Sequence, residues 1–151
     1  MTDIKALIER LEAAKGADMA LDAAICVLAQ YGGQNSDGAT NVRTDPDWEG
    51  DLLFEVGAEE CCNPIPDITA SLDAAVAFAE RVLPGWVGMV NICYPRHVNG
   101  GCQVQLTASD ACDDRCAEAV HKYAAISVLI ATLRALQAQG GSDASAKPSS
   151  A

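Results

Sequence analysis

The chain has 151 residues, of which half are hydrophobic, and this is enough apolar surface for one core without disulfide staples. Its formal net charge is −11, because 21 Asp and Glu outweigh 10 scattered Lys and Arg. This balance excludes the clustered basic surface that phosphate-backbone binding needs, so we expect neither direct nucleic-acid binding nor binding to an anionic membrane.

The compartment is indicated by the opening residues and the cysteines. Residues 1–11 read as a charged amphipathic helix and lack the apolar core of a signal peptide. No window approaches the roughly 18 apolar residues that a membrane helix requires. Seven cysteines without a secretion signal are typical of free thiols, so we expect a protein of the reducing cytosol.

Two amphipathic helices are predicted first in the chain. The first covers residues 2–14 with Thr2 as its cap, and the second begins after the cap Asp18 and ends at Gly32-Gly33. Residues 34–47 are rich in Gly, Asn, Ser and Asp, which predicts a loop. Alternating apolar residues predict a short strand at 52–56.

The middle of the chain predicts a connector, a helix and a hairpin. The two prolines in residues 61–66 indicate a rigid, non-helical connector. Residues 71–82 indicate a helix with Ser71 as its polar cap. Strands 86–94 and 102–108 form the hairpin. Keeping the apolar residues of both strands on one face predicts a specific set of pairs. These are Tyr94 with Cys102, Ile92 with Val104 and Val90 with Leu106.

A long helix is predicted from a cap at Ser109-Asp110 to about Gln139, and the Ser, Ala and Gly-rich residues 140–151 are predicted to be a disordered tail. Residues 1–139 then form one domain. Its class is α+β, with a small antiparallel sheet from the three predicted strands, covered by helices on one or both faces. Apolar residues almost all round the last helix also predict a homodimer through it.

Three blocks of the chain resemble the phage ABA sandwich domain family. They are residues 8–12 (IERLE) with 21–25 (LDAAI), residues 68–75 (ITASLDAA) with Pro84-Gly85-Trp86, and residues 130–136 (IATLRAL). The resemblance implies helices on both faces of a sheet and a phage or prophage protein in the host cytoplasm. It carries over no activity and no catalytic residue. The chain departs from the family pattern at residues 121–123, which predicts an earlier start for the last helix.

Cys112 and Cys116 share one face of the predicted helix, and His121 lies about a turn further along. These residues are the candidates for a metal site or a reactive thiol. A zinc site usually takes two short-spaced ligand pairs, and the adjacent Cys61-Cys62 is a poor second pair. The chain also lacks hydrolase, phosphate-loop and dinucleotide motifs. No catalytic residue, metal ligand or cofactor is therefore predicted, and a metal-dependent or thiol enzyme is kept as an alternative.

The remaining candidate is an acidic loop with a tryptophan at its centre. Asp45, Asp47, Glu49 and Asp51 alternate around Trp48, but Gly50 comes too late and no bidentate Glu follows for a calcium loop. Trp48 either packs back onto the core or is an exposed anchor for a partner. The second reading predicts a non-enzymatic binding protein with a basic protein partner. An acidic inhibitor of a basic host defence nuclease is its leading alternative.

Overall fold

The computed structural model describes residues 3–33, 36–93, 101–108 and 116–150, with backbone alone for 91–93 and 140–150. In these residues four helices accompany two three-stranded antiparallel sheets, which confirms the predicted α+β class. The helices are α1 (Ile4–Ala13), α2 (Met19–Ala29), α3 (Leu72–Val82) and α4 (Ala124–Ser150). The strands are β1 (Thr40–Thr44), β2 (Asp51–Val56), β3 (Glu59–Pro64), β4 (Val87–Cys93), β5 (Gly101–Thr107) and β6 (Cys116–His121).

The first three helices begin at side-chain caps. Asp18 accepts a hydrogen bond from the amide of Leu21 at 3.2 Å, and Ser71 accepts one from Ala74 at 3.2 Å. Both caps were predicted, because a short oxygen-bearing side chain satisfies an amide that the first turn leaves free. The cap of α1 is Asp3 rather than Thr2, so this helix begins one residue later than expected for a Thr2 cap.

The first sheet has the strand order β1-β2-β3 and replaces two segments that the sequence predicted to be irregular. The predicted loop, residues 34–47, contains β1, and the last four residues of β3 lie in the predicted connector, residues 61–66. A proline lacks the amide that a strand ladder uses, but Pro64 is the last residue of an edge strand and leaves the ladder intact. The predicted strand 52–56 is therefore confirmed as β2, but it belongs to a sheet separate from the hairpin.

The second sheet has the order β4-β5-β6, and its hairpin has a register two residues from the predicted one. Val90 pairs with Val104 and Ile92 with Cys102, so the predicted pairs are wrong. A shift of two keeps every side chain on its predicted face. Tyr94 and residues 96–100, which the predicted register leaves as the hairpin loop, lie outside the described residues. Gly101 has φ +122°, and a Cβ there would lie 2.7 Å from the carbonyl oxygen of His121.

Strand β6 corrects the predicted start of the last helix. Ala117 and Ala119 are buried while Cys116, Glu118 and Val120 are exposed, which is the period of two that a half-buried strand shows. Helix α4 begins only at Ala124, so Cys116 does not lie on a helix. The prediction that Cys116 shares a helical face with Cys112 is therefore wrong, because Cys116 lies on a strand. Cys112 lies outside the described residues.

Helix α4 is the centre of the core. It packs against β5, β6, α3 and α1, and residues 125–133 are all buried. Because the same chain covers this helix, its burial removes the reason for the predicted homodimer. Helix α4 covers one face of the second sheet, and on the other face Val87, Met89 and Val120 are exposed. Helix α4 continues to Ser150 through the segment predicted to be a tail, whose disorder stays a prediction.

Candidate functional site

Trp48 lies in the turn between β1 and β2, and 70 % of its surface is exposed. It therefore does not fill a gap in the core, and that alternative for Trp48 is wrong. An exposed tryptophan is unusual, because burying an aromatic ring removes a large apolar area from water. We refer to residues 44–51 as the tryptophan turn.

The backbone of the tryptophan turn is held by hydrogen bonds within it. The Asp45 carboxylate oxygen Oδ1 accepts from the amides of Asp47, at 2.8 Å, and Trp48, at 3.3 Å. The Asp45 amide donates to the Asp51 carbonyl at 3.1 Å, and the Asp51 amide donates to the Trp48 carbonyl at 3.4 Å. Gly50, with φ +98°, accepts from the amide of Ile65 at 2.8 Å. The indole is thus presented on a defined turn.

The four predicted acidic residues come together in this turn, but they have different roles. Asp45 is half-buried and holds the turn through its own carboxylate, and Asp51 is the half-buried first residue of β2. The side chains of Asp47 and Glu49 are exposed, and no hydrogen bond or ion pair engages them among the residues that the structure describes. Their charges are therefore open to a partner.

The cation closest in sequence, Arg43 on β1, does not neutralise the turn. Its guanidinium lies on the outer face of the first sheet, 2.6 Å from a carboxylate oxygen of Glu55 and 2.9 Å from one of Glu60. The hydrogen bond between Arg43 and Glu55 raises the pKa of the arginine and lowers the pKa of the Glu55 carboxyl. Arg43 is thus committed to carboxylates of the sheet.

The thiols and imidazoles in the described residues are dispersed. Cys61 and Cys62 are neighbours on β3, and since consecutive strand residues point to opposite faces, they do not face one ion together. Cys116 is exposed on the outer face of the second sheet. The ring nitrogen Nδ1 of His121 accepts from the amide of Tyr123 at 3.0 Å. Across the described ranges, no three His, Cys, Asp or Glu residues are grouped so as to hold a metal ion.

A buried pair on α2 bears on the thiol-enzyme alternative. Burial, together with the nearby charge of Asp22, raises the pKa of Cys26 to about 12, so this thiol stays protonated at neutral pH and is a poor nucleophile. Asp22 is buried, and its Oδ1 accepts from the amide of Thr69 at 2.7 Å. The Thr69 hydroxyl accepts from the amide of Asp18 at 2.8 Å. These bonds tie the loop before α3 to the start of α2.

A second candidate site is a cleft of about 320 Å³ between α3 and the second sheet. We call it the α3 cleft. Sequence reasoning missed it, because its walls consist of ordinary core residues from α3, β4, β5 and α4. The one sequence signal is Gly88, a glycine within an apolar strand, which often marks a close approach or an opening.

The chain has no match among protein-family models and no significant match among the curated proteins or the solved structures. Within the described ranges, no helix combines the length and the apolar character needed to cross a membrane.

Proposed function

We propose that this protein acts by binding a basic protein partner and that the tryptophan turn is the contact surface. The observation that carries the proposal is the 70 % exposure of Trp48 on a turn whose backbone is held by its own hydrogen bonds. Tryptophan is enriched among the residues that dominate binding energy. A fixed turn also loses little conformational freedom on binding, which favours affinity.

The charges around Trp48 support a basic partner. The tryptophan turn contains four carboxylates and no Lys or Arg, in a chain with a net charge of −11. Such a local negative field speeds the encounter with a positive surface and repels a negative one. The indole face also attracts a guanidinium or ammonium group within about 6 Å of the ring. An Arg-rich patch on the partner satisfies both features.

The resemblance of three sequence blocks to the phage ABA sandwich domain family supports our proposal for the biological role. We infer an accessory protein of a phage or prophage that works in the host cytoplasm. In its more specific form the partner is a basic host defence nuclease, since acidic side chains can occupy the Lys and Arg that such an enzyme uses on nucleic-acid phosphates. Because one chain already covers α4, we propose that the binding unit is a single chain.

A photo-crosslinking amino acid at position 49, next to Trp48 in the turn, tests the contact surface in host cells and leaves the tryptophan in place. The matched control places the same amino acid at Met89, which is 56 % exposed on the outer face of the second sheet. We expect a discrete crosslinked protein from position 49 alone, with a net positive charge. Its yield should fall as salt rises from about 50 to 500 mM, because salt screens the attraction. Equal yields from both positions would overturn the proposal.

The variant Trp48→Ala separates binding from folding. We expect partner affinity to fall by about 30-fold, the equivalent of about 2 kcal/mol for an anchor residue. The melting temperature should stay unchanged, because most of the side chain is already in water. A melting temperature that falls together with the affinity would assign Trp48 to the fold instead.

A further inference from the structure

The α3 cleft opens to solvent at Glu80 and Gly88 and reaches inward to buried residues of the second sheet. Its volume is about 320 Å³. Apolar cavities of roughly 150 Å³ stay dry and accept benzene, so this cleft has room for a molecule about twice that size. Such an apolar space gains stability when an apolar group fills it.

The walls of the α3 cleft are apolar on three sides. Val76, Ala79 and Leu83 of α3 recur at helical spacing, and Val104 and Leu106 of β5 belong to the buried face of the second sheet. On the β4 side the cleft is lined by Gly88. A Cβ at that position would lie 2.9 Å from Cδ2 of Leu106, so the glycine keeps this side free.

The polar character of the cleft comes from one charged residue, Glu80. This carboxylate is exposed, and within the described part of the chain it forms no ion pair or hydrogen bond. Trp86, which is half-buried, lines the same cleft. A carboxylate and an indole at one site favour an organic ammonium group through charge attraction and the cation–π interaction. An anion would instead meet Glu80 in a protein of net charge −11.

We propose that the α3 cleft binds a small amphipathic ammonium compound, with its apolar body between α3 and the second sheet and its charged end at Glu80. The volume selects a body of modest size, and the lining selects an aliphatic or aromatic one. This site is independent of the tryptophan turn, so it makes a small-molecule ligand a second binding partner of the same domain.

Fluorescence of Trp86 tests the proposal directly. The chain has two tryptophans, so the variant Trp48→Phe leaves Trp86 as its single indole. We expect a saturable change in its emission with octylammonium. Binding of octylammonium should be about fivefold tighter than that of octanol, which corresponds to about 1 kcal/mol for an exposed ion pair with Glu80. Octanoate should bind most weakly, because its carboxylate is repelled by that of Glu80. No saturable change, or equal binding of the three probes, would overturn the proposal.

Two variants locate the ligand. Glu80→Gln should bring the affinities for octylammonium and octanol within about twofold of each other. The control Glu59→Gln, which removes an exposed carboxylate of β3, should leave the preference for octylammonium unchanged.

Ala79→Leu should abolish binding of all three probes by filling the cleft, with Ala77→Leu on the same helix as its control. If Ala79→Leu does not fold, Glu80→Gln decides alone, and a retained preference would refute the site. Capture of a protein by a photo-crosslinking amino acid at Val76, which lines the cleft, would also refute the proposal of a small-molecule ligand.

Discussion

The two sheets have the same topology but different outer faces. Each is a three-stranded antiparallel meander with one buried, apolar face. On the outer face of the first sheet, Arg43 bridges Glu55 and Glu60. On the outer face of the second sheet, within the described residues, the large hydrophobic side chains Val87, Met89 and Val120 are exposed, together with Gln103 and Glu118. The outer face of the first sheet therefore carries an ion-pair network, whereas that of the second mixes exposed apolar side chains with polar ones.

The inner faces are also held differently. In the second sheet, Ala117 and Ala119 let α4 approach closely, and the Ser127 hydroxyl donates to the carbonyl of Cys102 at 2.8 Å. The first sheet is attached partly through polar links. The Gln30 side chain accepts from the amide of Val42 at 2.9 Å and donates to its carbonyl at 3.1 Å. The second sheet thus acts as the scaffold, while the first carries the exposed turn.

The largest effect that we expect is from Leu129→Ala. Leu129 is fully buried in α4, and removing such a side chain from a packed core costs about 2–5 kcal/mol. Because α4 contacts the second sheet, α3 and α1, the loss should appear as a lower free energy of unfolding for the whole domain. Urea denaturation followed by circular dichroism measures it.

The matched variant Leu52→Ala sharpens the comparison. Leu52 is also fully buried, but it belongs to the first sheet. Amide hydrogen exchange should accelerate mainly in β1–β3 for Leu52→Ala and throughout the domain for Leu129→Ala. Uniform acceleration in both variants would show that the scaffold and the first sheet unfold as one unit.

A smaller loss is expected at the bond between Asp22 and Thr69. The variant Asp22→Ala removes the acceptor of a buried amide and should cost about 1–3 kcal/mol. Asp22→Asn keeps an oxygen at that position and should cost less. Equal losses in the two variants would show that the hydrogen bond contributes nothing measurable.

The pH dependence of these variants has a defined sign. Burial raises the pKa of Asp22 in the folded state, so the folded state holds this proton more tightly than the unfolded state. This tighter proton binding stabilises the folded state at pH values below the ordinary pKa of an aspartate, about 3.9. The stabilisation is lost as the pH rises through the raised pKa of Asp22. Wild type should therefore lose stability relative to Asp22→Asn as the pH rises from below that ordinary value through the raised pKa of Asp22. Parallel profiles in chemical denaturation would contradict this.

The caps of α2 and α3 were predictable from sequence, since Asp18 and Ser71 each bond to an amide in the first turn of their own helix. Alternation also placed the apolar residues of β4 and β5 on one face. The register was not predictable, because a shift of two residues keeps every side chain on the same face. Strand β6 was missed because Ala117 and Ala119 fit a helix as well as a strand. The exposure of Trp48 depends on the conformation of the whole turn, so the sequence alone did not decide between packing onto the core and an exposed anchor.

The smallest effect is expected from removing residues 140–151. This segment contains Gly140 and Gly141, which each cost about 1 kcal/mol in a helix relative to alanine, and Pro148, which costs about 3 kcal/mol. Its composition therefore favours disorder over a stable continuation of α4. A chain ending at Gln139 should keep its free energy of unfolding within about 0.5 kcal/mol of the full chain, because such surface changes are usually that small.

A second truncation makes this result decisive. A chain ending at Ala131 also lacks Leu133 and Ala135, which are fully buried, and it should lose several times more stability than the shorter truncation. The two values together mark where α4 stops contributing to the scaffold. A loss of more than about 1 kcal/mol on removing residues 140–151 alone would place that point beyond Gln139. The domain would then extend into the predicted tail, because only packed residues stabilise the fold to that degree.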